Sequence, residues 1–144
     1  MTEPLSSREA DVVMDAAVAK AAELGADIVT IAVLDGGGHP MSIVRLDDRW
    51  FEVDLAVGKA YSAVALGMDT NDSGPLLDST PFWTTVTSLL ANRGGFGLGG
   101  LLLRRSADGD PIGAIGAIGS SGDEDIAISR AGVDALLEHG AGGS

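Results

Sequence analysis

The chain has no cysteine. Disulfides, thiolate nucleophiles and sulfur ligands for a metal are excluded together. Aromatics are scarce, at 4% of residues: three Phe, two Trp and one Tyr. A broad aromatic-walled cavity therefore has few residues to draw on. Basic residues are few as well, with 9 Lys and Arg against 21 Asp and Glu, a formal charge of −12. Such a surface repels phosphate backbones and anionic headgroups, so neither nucleic acid nor a membrane surface is an expected partner. No stretch reaches the roughly 18 apolar residues that a membrane-crossing helix needs. The opening "MTEPLSSREADVV" lacks the basic patch and apolar run of a secretory signal. A cytoplasmic protein is the expectation.

What is present is a chain of 144 residues, 45% of them hydrophobic. That is one domain with one ordinary core, expected to be ordered over 6–139 with a flexible tail from Gly140. "SSREADVVMDAAVAKAAELG" reads as a helix, capped at Ser6 or Ser7 with Glu9 or Ala10 where a capping-box acid falls, and ended by Gly25. "DIVTIAVLD" is rich in β-branched residues and predicts a buried strand, "GGGHP" a turn, and "MSIVRLDD" the returning strand. "WFEVDLAVGKAYSAVALGM" predicts a second helix, with Phe51, Leu55, Val57, Ala60, Val64 and Ala65 on its buried side. Its small residues Ala56, Gly58, Ala60 and Ala63 point to close packing on another element.

"FWTTVTSLLANRG" reads as a short helix and "GGFGLGG" as a loop. "LLLRRSADGDPIGAIGAIG" is a second hairpin turning at "ADGD". "GDEDIAISRAGVDALLEHG" closes the chain as a helix, with Asp123, Glu124 and Asp125 in the turn where its dipole favours acids. Helices alternating with hairpins give an α+β domain, an antiparallel sheet with helices packed on it.

The motifs admit several chemistries. "GFGLGG" at 95–100 fits a dinucleotide-binding pattern literally, but a strand follows it where that fold needs a helix. Gly113, Gly116, Gly119 and Gly122 recur every third residue, which in a strand does not keep to one face. They serve either tight strand–helix packing or a ligand shelf running from Gly116 through Gly119 to Ser121. His39 is either an exposed turn residue or a ligand for haem iron or another proton or metal partner. Lys59 either reaches water, pairs with a carboxylate, or holds a substrate carboxylate. Arg45 either meets Asp35 or Asp47 as an ion pair or grips an anion. His39 and His139 show no metal-site spacing, and no metal site is expected.

The order of these motifs resembles the GlcG/HbpS-like family (DUF336). The residues that carry the likeness are "IAVLDGGGHPMSIVRLDD", "AVGKAYSAVAL" and "DGDPIGAIGAIGSSGDEDIAISRAGVDAL", together spanning roughly 8–138. One departure is "GGFGLGGLLL", which keeps the glycines of the corresponding family segment without its prolines. The resemblance implies a profilin-like antiparallel sheet flanked by helices, a small-molecule ligand and a homo-oligomer. It implies a binding protein for haem or a related planar cofactor, with His39 as iron ligand. The alternative is a cofactor-independent enzyme of lyase, isomerase or hydrolase type. There Lys59 and Arg45 would hold an anionic metabolite, Asp35, Asp47 or His39 would move protons, and Trp50, Phe51, Phe82, Trp83 and Phe96 would wall the pocket.

Overall fold

The structure, a computed structural model, describes residues 2–46, 51–73, 81, 85, 88 and 99–142. Helix α1 spans Ser7–Glu23. Its capping box is complete: the Ser6 hydroxyl accepts from the Glu9 amide at 3.1 Å and the Glu9 carboxylate accepts from the Ser6 amide at 3.0 Å. At its other end Gly25, with φ +69°, allows the Gly25 and Ala26 amides to turn back onto the Ala22 and Ala21 carbonyls. Strands β1 (Thr30–Asp35) and β2 (Pro40–Arg45) form the first hairpin, helix α2 covers Phe51–Leu66, and a 3-10 turn covers Thr70–Ser73. Strands β3 (Gly100–Leu103) and β4 (Gly113–Ile118) form the second hairpin, and helix α3 covers Gly122–Ala141. No described helix is long and apolar enough to cross a membrane.

The four strands lie in the order β2-β1-β4-β3, antiparallel throughout. The α+β class expected from the sequence is the class observed. β1 and β4 are central, so they are buried along both faces and read as continuous apolar runs. Ile31, Val33, Leu101, Leu103 and Ile115 face one side, where Val13 of α1 and Ile128 and Leu136 of α3 complete the main core. Each such fully buried side chain contributes about 2 kcal/mol. On the other side Leu34, Leu102 and Ala114 meet Ala60 and Ala63 of α2.

That second layer is thin because its floor has few side chains. Ala32 pairs with Gly116, and Gly116 with Gly100, a row of small residues across three strands. A Cβ on Gly116 would strike the Ala56 carbonyl and lie 2.9 Å from the Ala60 amide nitrogen, and one on Gly100 would lie 2.5 Å from the Lys59 carbonyl oxygen. The backbone of α2 thus rests directly on the sheet. Its small side turns inward, and Leu55, expected on the buried side, is 41% exposed. Ala65, expected there too, also faces solvent.

Both outer strands end in a recognisable way. The Asp69, Thr70 and Asn71 side chains accept from the amides of Leu102, Gly100 and Gly99 at 2.7–2.9 Å, so among the described residues side chains take the place of a further strand beside β3. β2 forms the opposite edge, with Ile43 exposed. α3 runs past Gly140 to Ala141, and glycine at 140 lets the helix approach the Arg105 carbonyl closely: a Cβ there would lie 2.5 Å from its oxygen.

Candidate functional site

The glycine row sets where Lys59 goes. With the α2 backbone pressed on Gly100 and Gly116, the Lys59 side chain passes the end of β3 and reaches the far side of the sheet. Its ammonium donates to the Ala117 carbonyl at 2.8 Å and lies 3.5 Å from Asp125 Oδ2. The β3–β4 ladder stops at Gly100 and Gly116, so the lysine supplies the next donor along β4. Asp125 sits in the first turn of α3, where its other oxygen accepts from the Ser120 amide at 3.1 Å. Both side chains are buried. Burial pushes the Lys59 amine down while Asp125 and Glu52 pull it back, and it stays below its ordinary value. Burial pushes the Asp125 carboxyl up against the pull of Lys59, and it stays above its own. Ser129 Oγ donates to the Gly99 carbonyl at 2.6 Å beside them. The cluster fastens α2 to α3 around the end of β3.

A second constellation lies at the other end of β4. Asp35 ends β1 and closes the first hairpin: its Oδ1 accepts from the amides of Gly37 at 2.9 Å and His39 at 3.0 Å. The same oxygen lies 3.3 Å from His39 Nδ1. Burial pushes the Asp35 carboxyl up, but those two amides and the imidazole outweigh it and hold it below its ordinary value. The His39 side chain is 74% exposed. Beside it opens a cavity of about 310 Å³, walled by residues 2–4, by the turn itself, and by Pro111 and Ile112. Asp35 pairs with Gly113, four residues from the Ala117 that Lys59 holds. The two constellations are thus about 14 Å apart along the strand.

The residues singled out in the sequence therefore fall in separate places. His39 and Asp35 come together at the cavity. Lys59 and Gly116 come together under α2. Gly119, at φ +127°, packs on the Ile28–Val29 backbone, and Ser121 caps α3 by accepting from the Glu124 amide at 3.2 Å. Arg45 is exposed at the end of β2, opposite Thr30. Phe82, Trp83 and Phe96 lie outside the described residues, as do Asp47, Trp50 and the loop 92–98. Residues 2–4 were not anticipated as a cavity wall, and neither was Arg105, which holds them. Its guanidinium donates to the Glu3 and Pro4 carbonyls, both at 2.8 Å.

An antiparallel sheet of order 2-1-4-3 between one helix and a helix pair, with a glycine-paved final hairpin, defines a GlcG/HbpS-like α+β domain. The sequence matches the family described as "Haem degrading protein HbpS-like" over residues 5–134, and the chain belongs to that family. Among solved structures it is similar to a PduOC:haem complex, with 26% identity and a TM-score of 0.78 over 92% of this chain and 95% of that one. It is also similar to a double mutant of HbpS from Streptomyces reticuli, with 29% identity and a TM-score of 0.75 over 94% and 89%. The ORFY protein of Klebsiella pneumoniae shares the fold at 22% identity, with a TM-score of 0.81 over 94% and 92%. No curated protein matches the sequence.

Proposed function

We propose that this chain is a small-ligand-binding protein of the HbpS type that holds haem, or another planar organic ligand, at the Asp35–His39 turn. The observation that carries this reading is the imidazole itself. His39 is exposed over a cavity, and its Nδ1 faces Asp35 Oδ1 at 3.3 Å. The Asp35 carboxylate thus favours the tautomer with hydrogen on Nδ1 and leaves Nε2 as the basic nitrogen, the arrangement that carboxylate–histidine pairs present to metals. The PduOC:haem complex and the family's description, which names haem, support haem as the ligand class.

The residues present fit one side of haem. Nε2 would hold the iron, and Pro4, Pro111 and Ile112 offer apolar surface beside it. When bound, haem would supply a redox-active iron. The chain orients the imidazole through Asp35 and shields one edge of the ligand through the two prolines and Ile112. At about 310 Å³ the cavity is at the small end of ligand sites, which favours a ligand held by an edge over one fully enclosed. The carboxylates of Glu3 and Asp35 disfavour an anionic ligand edge there.

The enzyme reading has less support. The Lys59 amine is already engaged by Ala117 and Asp125, and it does not line the His39 cavity. Titration with haemin tests the proposal. A Soret band saturating near one haem per chain, lost or shifted in His39→Ala, is expected. No shift of the band from that of free haemin at equimolar haemin, or an identical band in His39→Ala, overturns it.

A further inference from the structure

We infer that Arg105 is a positioning residue for the ligand cavity, because it fastens the extended segment 2–5 as a detachable wall. The inference rests on the cavity reading above but has its own test.

The segment carries no regular secondary structure. Three fixings from elsewhere in the chain hold it. Leu5 is plugged into the main core at 4% exposure, in space that Gly113 leaves open: a Cβ on Gly113 would lie 3.2 Å from Leu5 Cδ2. Thr2 donates its hydroxyl hydrogen to Asp110 at 3.1 Å. Between them, Arg105 Nη1 and Nη2 donate to the Glu3 and Pro4 carbonyls, both at 2.8 Å. The guanidinium is itself held by Glu9, through Nε at 2.7 Å and Nη2 at 2.9 Å. A planar fork that binds one carboxylate and two adjacent carbonyls is a task for arginine and not for lysine.

What the fork fixes is functional surface. Thr2, Glu3 and Pro4 line the same cavity as His39, and without them the apolar wall is reduced to Pro111 and Ile112. Arg105 lines none of it. It acts through the segment: when the fork is cut, the Leu5 plug and the Thr2 bond remain, but the stretch between them is free to swing away from the ligand.

The test compares wild type with Arg105→Gln, Arg105→Lys and a control, Leu102→Val, which trims the second core on the α2 side. In Arg105→Gln, 15N relaxation at the Glu3 amide should report a loss of backbone order, and the Ile112 methyl resonance should move. Haemin release, followed by loss of the Soret band to excess apomyoglobin, should quicken about fivefold. Arg105→Lys, which keeps the charge without the fork, should resemble Arg105→Gln, and Leu102→Val should resemble wild type. Unchanged backbone order at Glu3, an unmoved Ile112 resonance, or release at the wild-type rate overturns the inference. If wild type takes up no haemin, the ligand proposal falls, and backbone order at Glu3 and the Ile112 resonance decide the wall by themselves.

Discussion

Replacing Gly116 with alanine isolates the packing on which the Lys59 cluster depends. In an ordinary strand the change would gain about 0.5–1 kcal/mol, since glycine loses more backbone freedom on folding. Here the new methyl meets the Ala56 carbonyl, comes to 2.9 Å from the Ala60 nitrogen and to 3.1 Å from Lys59 Cβ. Two of these are backbone atoms of one helix, so α2 must lift as a unit. Overpacking of this kind costs about 1–3 kcal/mol. Lifting α2 also stretches the 2.8 Å bond from Lys59 to Ala117 and its 3.5 Å approach to Asp125. Disrupting a buried charge pair adds a penalty of similar size, for a net loss of about 3 kcal/mol. For a chain of this length that is a fall in Tm of roughly 10 °C, read by circular dichroism.

Gly25→Ala is the control. Gly25, unlike Gly116, has positive φ, +69°, and nothing lies within 4 Å of its added Cβ. Only backbone strain of about 1 kcal/mol applies there. A Gly116→Ala protein that melts within about 2 °C of wild type, or one more stable than Gly25→Ala, would refute the reasoning.

Asp125→Ala leaves the Lys59 ammonium buried without its carboxylate and should cost about 3–4 kcal/mol in urea unfolding. The double change Lys59→Met with Asp125→Leu should recover most of that loss, and equal losses in both would contradict a buried pair. Glu9 supplies a pH prediction. Hydrogen bonds from Arg105 outweigh burial and lower its pKa from 4.5 to about 2. The folded state therefore binds that proton less readily than the unfolded chain. The stability it adds, about 2 kcal/mol allowing for the partly exposed partner, is complete above about pH 5 and lost as pH falls toward 2. The stability gap between wild type and Glu9→Gln should close over that range, and a gap constant with pH would contradict it. Asp35→Asn, which removes the charge behind the imidazole, should weaken haemin binding about tenfold, and wild-type affinity would mean that the carboxylate does not tune His39.

Elements whose signals are local could be read from the sequence. Ser6 and Glu9 lie three residues apart, Asp35 and His39 four, and their spacing alone announces a cap and a tight turn. The spacing of the final glycines likewise showed that they do not share a face: Gly113 makes room for the Leu34 carbonyl and Leu5, Gly116 for α2 and Gly119 for the Ile28 backbone. Contacts that join distant segments were not legible. Lys59 finds Ala117 across 58 residues and Arg105 finds Glu9 across 96, and nothing in either segment names its partner. Asp125 read as one of three acids favoured by a helix dipole. The signal that sets it apart is its spacing of three and four residues from the buried Ile128 and Ser129, which places it on the inward stripe of α3. The outward turn of Leu55 was hidden for a related reason. Hydrophobicity favours burying it, but the floor beneath α2 has room only for small side chains.

A crystal structure of the protein grown with haemin tests the assignment of His39 most directly. Iron bonded to His39 Nε2, with an edge of the porphyrin against Pro4, Pro111 and Ile112, is the expected result. Iron held by another residue, or haemin seated away from the Asp35–His39 turn, would contradict it.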